Sequence, residues 1–258
     1  MEVSNLVVMK DDYKKIIYVI EAIYEDKVYI AGLNYRIRRV VHLDDIQLAT
    51  KEEIDSENKK TSDYFLSISN LNSRQKRKNK SYLLGKVLHI DGDQKYLDKC
   101  LELYKTIGVY ANGLMIKEEE IHHNIQELVI KLAPDIVVIT GHDVYNQKGS
   151  KDLDNYTNTL HYIKAVRKIR EVKSRFDLTI IAGACQSNFE ALIANGADFA
   201  SSPKRINIHT FDPAVIAVKV SSTSIAKIVN LSEALRYIER GQDAFGGVEC
   251  FGKMRLFV

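Results

Sequence analysis

Two runs of β-branched and other apolar residues, each ended by glycine, constrain the fold of this chain most. They are 136-IVVITG-141, followed by His142, and 178-LTIIAGA-184, followed by Cys185. Runs of this length bounded by glycine are typical of buried strands in a parallel sheet, because helices cover both faces of such a sheet. The carboxyl ends of these strands form the edge where open α/β sheets hold their active sites. We therefore expect His142 and Cys185 to lie at that edge.

Stretches with helical periodicity separate the apolar runs that follow residue 83. In each stretch apolar residues recur at intervals of about three and four, which is typical of an amphipathic helix packed on a sheet. Strands that alternate with helices form βαβ units and hence a parallel sheet. The sequence therefore predicts an α/β domain over residues 83–258, with a mostly parallel sheet flanked by helices and a terminal strand or hairpin. The helical stretches are 96–104, 119–132, 160–169, 187–195, 212–220 and 231–239.

The segment 1–50 has a different pattern, in which short apolar bursts alternate with polar turns. Glu25-Asp26 and Gly32–Asn34 supply turn residues beside bursts such as 16-IIYVIEAIY-24 and 27-KVYIAGL-33. About four or five short strands in so short a segment predict a small antiparallel β-barrel of the SH3-like type.

Residues 51–82 are rich in charge and poor in apolar side chains, which predicts an exposed helix or a flexible linker. The basic cluster Arg74–Lys80 has the composition of a nucleic-acid patch. A solvated hinge explains the cluster with fewer assumptions, so we predict no nucleic-acid partner.

Composition narrows the class of protein. The 258 residues are 45% hydrophobic and 28% charged, with a net charge of +3, as in an ordinary globular domain. No apolar run approaches the roughly 20 residues of a membrane span, and the N-terminus lacks the pattern of a secretory signal, so we predict no membrane partner. Three cysteines are too few for a disulfide framework, which favours a reducing cytoplasm.

Cys185 and His142 are the residue types that a thiol hydrolase needs. A free thiol is mostly protonated at neutral pH, so a nucleophilic cysteine needs a base nearby and a setting that favours the thiolate. We predict that Cys185 lies at the N-terminus of the helix 187–195, which would lower its pKa, and that His142 is the base. The backbone N–H groups of Asp143 and Cys185 are the predicted oxyanion donors. His161 is the alternative base, but it lies within a helical stretch.

Neither a metal nor another cofactor is predicted. The nearest ligand pattern, His122-His123 with Glu127, has no third ligand at the spacing of a zinc motif.

The order of the two residues along the chain separates the families of cysteine hydrolases. Papain-like peptidases and glutamine amidotransferases place cysteine before histidine. Here His142 precedes Cys185 by 43 residues, close to the roughly 50 residues found in caspases. The pair is similar to that of the caspase–gingipain–separase group and predicts a caspase-like fold, although this chain has Gly141-His142-Asp143 where those proteins have His-Gly.

Several longer motifs extend the comparison. GKVLHIDGD, PDIVVITGHDVY, AGACQSNFEALIANGADFASSP and RINIHTFDP resemble the YabG family of sporulation-specific cysteine peptidases. The resemblance implies an endopeptidase that processes spore coat and germination proteins after arginine or lysine. It also implies that the protein is made in the cytoplasm of the sporulating mother cell and later lies in the coat and cortex region. The resemblance assigns the nucleophile to Cys185 and the imidazole to His142.

Cleavage after arginine requires a carboxylate in the substrate pocket, because a desolvated guanidinium without a partner is unfavourable. Asp212, Asp143 and Asp91 are the candidates in segments that reach the carboxyl edge. Asp212 is followed by Pro213 and could instead be the N-cap of the next helix.

Two other functions remain open at this point. The chain could be a non-catalytic spore coat scaffold or adaptor, or an amidohydrolase that uses the same dyad on a small molecule. A receiver domain is disfavoured, because Asp91 and Asp93 provide an acid pair but His142 stands where the phospho-acceptor would be. The oligomeric state is not predicted.

Overall fold

A computed structural model describes residues 1–12, 16–73 and 82–257, with side chains described for all of these except 69–73. The basic cluster Arg74–Lys80 lies outside the described residues. Across the described ranges, no helix is long and apolar enough to cross a membrane.

The chain divides into two compact units, residues 1–66 and 67–258. The first unit contains five strands, β1 (Leu6–Met9), β2 (Ile17–Tyr24), β3 (Lys27–Gly32), β4 (Arg38–His42) and β5 (Ile46–Leu48). They form an antiparallel sheet in the order β4-β3-β2-β1-β5. Glu25-Asp26 makes the predicted turn between β2 and β3. Alternating residues bury one face of the sheet, and the core of this unit contains Val7, Tyr18, Ile20, Val28, Ile30 and Ile46.

A helix, α1 (Lys51–Ser73), follows the sheet. It begins at a capping box, in which the Thr50 hydroxyl accepts from the Glu53 N–H at 3.2 Å and the Glu53 carboxylate accepts from the Thr50 N–H at 2.9 Å. Of the two forms predicted for this charged segment, the helix is confirmed for residues 51–73.

The second unit contains a two-stranded and a six-stranded sheet. Their strands are β6 (Tyr82–Leu83), β7 (Val87–Asp91), β8 (Ala111–Met115), β9 (Ile136–Thr140), β10 (Thr179–Ala182), β11 (Phe199–Ser201), β12 (Phe245–Gly247) and β13 (Arg255–Leu256). The larger sheet has the order β12-β11-β10-β9-β7-β8, and β6 pairs with β13. All its pairings are parallel except that of β12 with β11. The predicted mostly parallel sheet is confirmed.

The helices of this unit are α2 (Gln94–Ile107), α3 (Ile121–Leu132), α4 (Thr159–Val172), α5 (Phe189–Ala194), α6 (Asp212–Ser222) and α7 (Leu231–Leu235). One face of the sheet packs against α3, α4 and α5 in a core that includes Ile90, Ile139, Ile125 and Ile163. The other face packs against α2 and α6. Because both faces are covered, every residue of β7, β9 and β10 is buried, as the uninterrupted apolar runs predict.

The strand order creates a switch point that positions the site. The chain leaves β7 first toward β8 and then, through α3, returns to β9 on the opposite side. In open α/β sheets, ligands bind beyond the carboxyl ends of the strands at such a reversal. The ends of β7 and β9, followed by Asp93 and His142, flank this point.

Some predicted boundaries are wrong. The helix after Cys185 begins at Phe189, capped by the Asn188 side chain, so Cys185 lies in a turn and not at a helix N-terminus. The N-cap position of α6 is Phe211, which makes no side-chain capping bond, and Asp212 is the first residue of the helix. The helix predicted over 231–239 ends at Leu235. Up to residue 257, where the described structure ends, the C-terminal segment forms the short strand β13, and Cys250 lies outside it.

Candidate active site

The register of the sheet places His142 and Cys185 at the same edge, after neighbouring strands. Ile139 of β9 pairs with Ala182 of β10, and His142 and Cys185 each lie three residues beyond this pair. The Gly183 N–H donates to Ile139 O at 3.0 Å, which extends the ladder past the end of β10. Neighbouring strands are about 4.8 Å apart. The expected position of both residues at the carboxyl edge agrees with this register.

The backbone of His142 is held on both sides. Its N–H donates to Glu118 Oε1 at 2.7 Å. Its carbonyl oxygen accepts from Asn158 Nδ2 at 2.8 Å and from Tyr162 Oη at 2.9 Å. Because the loop before α3 holds the N–H and the start of α4 holds the carbonyl oxygen, the residue is fixed even though it lies beyond the strand.

Among the described residues, one nitrogen of the His142 imidazole has a hydrogen-bond partner and the other has none. Nε2 lies 3.2 Å from Asp93 Oδ2, and the ring packs edge-on against Tyr96 with centroids 5.8 Å apart. Nδ1 is buried and has no hydrogen-bond partner in the described part of the chain. The ring is therefore oriented from the β7–α2 side and keeps one nitrogen free for a proton.

The Glu118 carboxylate packs closely against two glycines, Gly92 after β7 and Gly141 after β9. A Cβ atom on Gly92 would lie 2.1 Å from Glu118 Oε1, and one on Gly141 would lie 2.3 Å from the same oxygen. Real Cβ atoms do not approach this closely, so either substitution would displace the carboxylate. The two glycines therefore let Glu118 reach the His142 N–H.

The Cys185 thiol is covered by a loop. Its side chain is 1% exposed, and Sγ accepts a hydrogen bond from the Ile208 N–H at 3.2 Å. The next residue, Gln186, donates through its N–H to Ser202 Oγ at 3.0 Å and to Ile206 O at 3.1 Å. In this conformation the sulfur is buried, and the loop 202–208 contacts it through Ile208.

Asp143 joins the loops that carry the two candidate residues. Its carboxylate accepts from the hydroxyls of Thr159 and Ser187 and from the N–H groups of Val144 and Asn158. Burial raises the pKa of Asp143, while these four hydrogen bonds oppose the shift. Ser187 lies in the turn of Cys185 and Asp143 follows His142, so this carboxylate holds the two segments together.

Comparison with known proteins identifies the family. The family model described as YabG peptidase U57 matches residues 2–258. This chain belongs to the YabG peptidase family. The resemblance carried by the motifs around His142 and Cys185 is thereby confirmed.

A YabG relative, the sporulation-specific protease YabG of Bacillus subtilis (strain 168), is 44% identical over 178 residues, which are 68% of this chain and 61% of the relative. The match thus spans less than two thirds of the relative's length. A solved structure of a two-component response regulator/GGDEF domain protein aligns over 52% of this chain and 45% of its own, at 16% identity and a TM-score of 0.31. That score carries no argument about the fold.

The three carboxylates predicted to bind substrate are buried in this YabG-family chain. Asp91, Asp143 and Asp212 are 0%, 3% and 1% exposed. Asp91 accepts from the Asp93 N–H at 3.0 Å, and Asp212 accepts from the His209 N–H at 2.9 Å. Each carboxylate serves the protein's own donors, so the geometry does not support their role in binding a substrate guanidinium.

The backbone N–H of Asp143, one of the two predicted oxyanion donors, is not used by the protein's own acceptors in the described residues. It donates to no acceptor among residues 1–12, 16–73 and 82–257. This N–H follows directly after the clamped His142.

Two residues that contact His142 were not predicted as site residues from the sequence, Asp93 and Glu118. Asp93 precedes a helical stretch, and that position signals an N-cap, but nothing local links it to a histidine 49 residues away. Glu118 lies in the acidic run 118-EEE-120 and is 6% exposed. Among charged neighbours on a loop, no sequence signal distinguishes a buried glutamate from exposed ones.

Proposed function

We propose that this chain is a cysteine endopeptidase in which Cys185 is the nucleophile and His142 the general base. The observation that supports this most strongly is the register of β9 and β10, which aligns the two residues at the carboxyl edge of the sheet. The clamp on the His142 backbone adds support, because a catalytic base must be held within hydrogen-bond reach of the proton that it takes.

The proposed reaction follows the chemistry of thiol acyl transfer. His142 takes the thiol proton while Sγ of Cys185 attacks the peptide carbonyl carbon, and the carbonyl oxygen becomes an oxyanion. The backbone N–H groups of Asp143 and Cys185 stabilise that oxyanion. His142 then gives the proton to the leaving amine, which leaves a thioester. Water hydrolyses the thioester, with His142 again acting as base, and the free thiol is restored.

The substrates that we propose are spore coat and germination proteins, cleaved after arginine or lysine. The family and the name of the Bacillus subtilis relative, a sporulation-specific protease, support a role in sporulation. On this proposal the protein acts in the cytoplasm of the mother cell and then in the coat and cortex region.

The finer fold assignments also belong to this proposal. The order of histidine and cysteine after adjacent parallel strands supports a caspase-like domain over residues 83–258. The five antiparallel strands of the first unit support an SH3-like module over residues 1–50, followed by the charged segment 51–82.

The histidine assignment is tested by two alanine variants. We expect His142→Ala to lower kcat by on the order of 10² or more, as for loss of a general base, and His161→Ala to lower it less than about threefold. His161 lies on α4 with its ring centroid 6.1 Å from that of His122. Steady-state kinetics on an arginine-containing peptide is the measurement, and a reversed ranking would make His161 the base.

The specificity is tested with two peptides that differ only in arginine or glutamine at the cleaved position. We expect wild type to prefer arginine by at least on the order of 10² in kcat/KM. A pocket built to bind the guanidinium would leave its own polar groups unpaired when glutamine occupies it. Asp212→Asn should reduce kcat/KM on both peptides equally, by less than about threefold, since the asparagine side chain still accepts from the His209 N–H. A selective loss on the arginine peptide would instead identify Asp212 as the guanidinium partner.

A further inference from the structure

The carboxylate of Asp93 has two oxygens with two different partners. Oδ1 accepts from the Lys95 N–H at 2.9 Å and caps α2, while Oδ2 lies 3.2 Å from Nε2 of His142. Asp93 is 7% exposed. The pair is largely buried, with side-chain exposures of 14% for His142 and 7% for Asp93, so little solvent lies between the two groups.

The sheet brings Asp93 to His142 by the same register that brings His142 to Cys185. Asp91 of β7 pairs with Thr140 of β9, and Asp93 and His142 each lie two residues beyond that pair. Neighbouring strands are about 4.8 Å apart. Asp93, His142 and Cys185 therefore follow three adjacent strands, β7, β9 and β10, in that order across the carboxyl edge.

The protonation of the ring follows from its partner. An ionised carboxylate only accepts hydrogen bonds, so Nε2 of His142 carries the hydrogen toward Asp93. In a neutral imidazole the other nitrogen, Nδ1, then carries the lone pair. Nδ1 is the nitrogen that is buried without a hydrogen-bond partner among the described residues.

We propose that Asp93 is the positioning residue of the site: it fixes the orientation and tautomer of His142, so that Nδ1 is the atom that takes the thiol proton. This inference rests on the proposed function of Cys185 and His142 and adds a third member to their dyad. Asp93 acts only through His142 and touches no reacting atom.

The neighbours of Asp93 keep it in place for this task. Its backbone N–H donates to Asp91 Oδ1 at 3.0 Å at the end of β7. Tyr96, in the first turn of α2, packs its ring against the imidazole. Capping and imidazole contact thus use one side chain, which means that an alanine variant would disturb both.

Asp93→Asn separates the two tasks. Asparagine caps helices about as well as aspartate, so α2 is preserved. Its amide, however, can present an N–H to Nε2, which selects the opposite tautomer, with the hydrogen on Nδ1. We expect kcat to fall by at least on the order of 10² while KM changes less than about threefold, because the base is disabled and binding is not.

A matched control comes from another capping aspartate. Asp152 accepts from the Asp154 N–H at 3.0 Å at an exposed turn, and Asp152→Asn should leave kcat unchanged. Asp93→Ser retains a capping side chain but is too short to reach Nε2, so it should also lose kcat. Urea unfolding of each variant separates loss of the fold from loss of the proton transfer.

The tautomer itself is read from the ring nitrogen shifts of His142 by NMR of ¹⁵N-histidine-labelled wild type, with His142→Ala to assign the signal. We expect a protonated Nε2 and a bare Nδ1 in the neutral ring. A hydrogen on Nδ1, or wild-type kcat in a folded Asp93→Asn, would overturn the role of Asp93. If Cys185→Ala and His142→Ala remain active, the proposed function itself fails, and the two failures are thereby distinguished.

Discussion

Cys185→Ala is expected to lower peptide hydrolysis by at least on the order of 10⁴, because removal of the nucleophile leaves only the residual catalysis of binding and oxyanion contacts. The measurement is the rate of cleavage of an arginine-containing protein substrate by purified wild type and variant. The variant should remain folded. It loses the sulfur contacts with Ile208, from its N–H at 3.2 Å and to its carbonyl oxygen at 3.9 Å, and a hydrogen bond of this kind contributes about 1 kcal/mol.

The control for this experiment is Cys250→Ala. Burial raises the pKa of the Cys250 thiol to about 12, so this sulfur is protonated and non-nucleophilic at neutral pH. Cys250→Ala should therefore cleave at the wild-type rate. Activity in Cys185→Ala above a few per cent of wild type would exclude Cys185 as the nucleophile. An inactive wild type would favour a non-catalytic scaffold, and turnover of small amides alone would favour an amidohydrolase.

Asp143→Ala is expected to reduce the free energy of unfolding by about 3 kcal/mol or more. Four donors, from Val144, Asn158, Thr159 and Ser187, lose their acceptor together. A buried donor left unpaired costs roughly 1–3 kcal/mol, although relaxation and water recover part of the sum. Urea unfolding at pH 7 is the measurement. Asp152→Ala, which removes the acceptor of a single exposed N–H, should lose only about 1 kcal/mol.

The pH dependence of the Asp143 effect has a definite sign. Because burial raises the pKa of Asp143 in the folded protein, the folded state holds the proton more tightly than the unfolded state. Its contribution to stability is therefore largest below the ordinary pKa of 3.8 and declines as pH rises toward the folded value. If wild type instead gains stability relative to Asp143→Asn as pH rises over this interval, the sign is wrong. A loss below about 1 kcal/mol in Asp143→Ala would contradict the structural role of this carboxylate.

The core of the second unit was predictable because burial on both faces leaves a continuous signal. The runs before Gly141 and Gly183 have no polar alternation, and that pattern separates a parallel strand from a half-exposed one. Once both were identified as parallel strands, the edge position of His142 and Cys185 followed from topology alone.

The start of α5 could not be predicted to the residue. Ser187 and Asn188 are both favourable capping residues, and helical spacing extends through them. Tertiary contacts decide between them. The Ser187 hydroxyl donates to Asp143, and the Asn188 side chain accepts from the Ala191 N–H. The prediction that Cys185 lies at the N-terminus of this helix is wrong for that reason.

The contacts that complete the site depend on long-range register and irregular loops. Asp93 meets His142 only because β7 and β9 are neighbours, a pairing that no local pattern encodes. Ile208 covers Cys185 through the loop 202–208, where Ser202 and Arg205 have φ values of 64° and 51°. Such a loop has no periodicity from which its path could be read.

The central claim, that Cys185 is the nucleophile activated by His142, is tested most directly by covalent trapping. Wild type is incubated with a peptidyl-arginine chloromethyl ketone, and the modified residue is located by mass spectrometry. We expect one adduct, on the sulfur of Cys185, formed at least about tenfold more slowly in His142→Ala. An adduct on another residue, or full inactivation of hydrolysis with Cys185 unmodified, would contradict the claim.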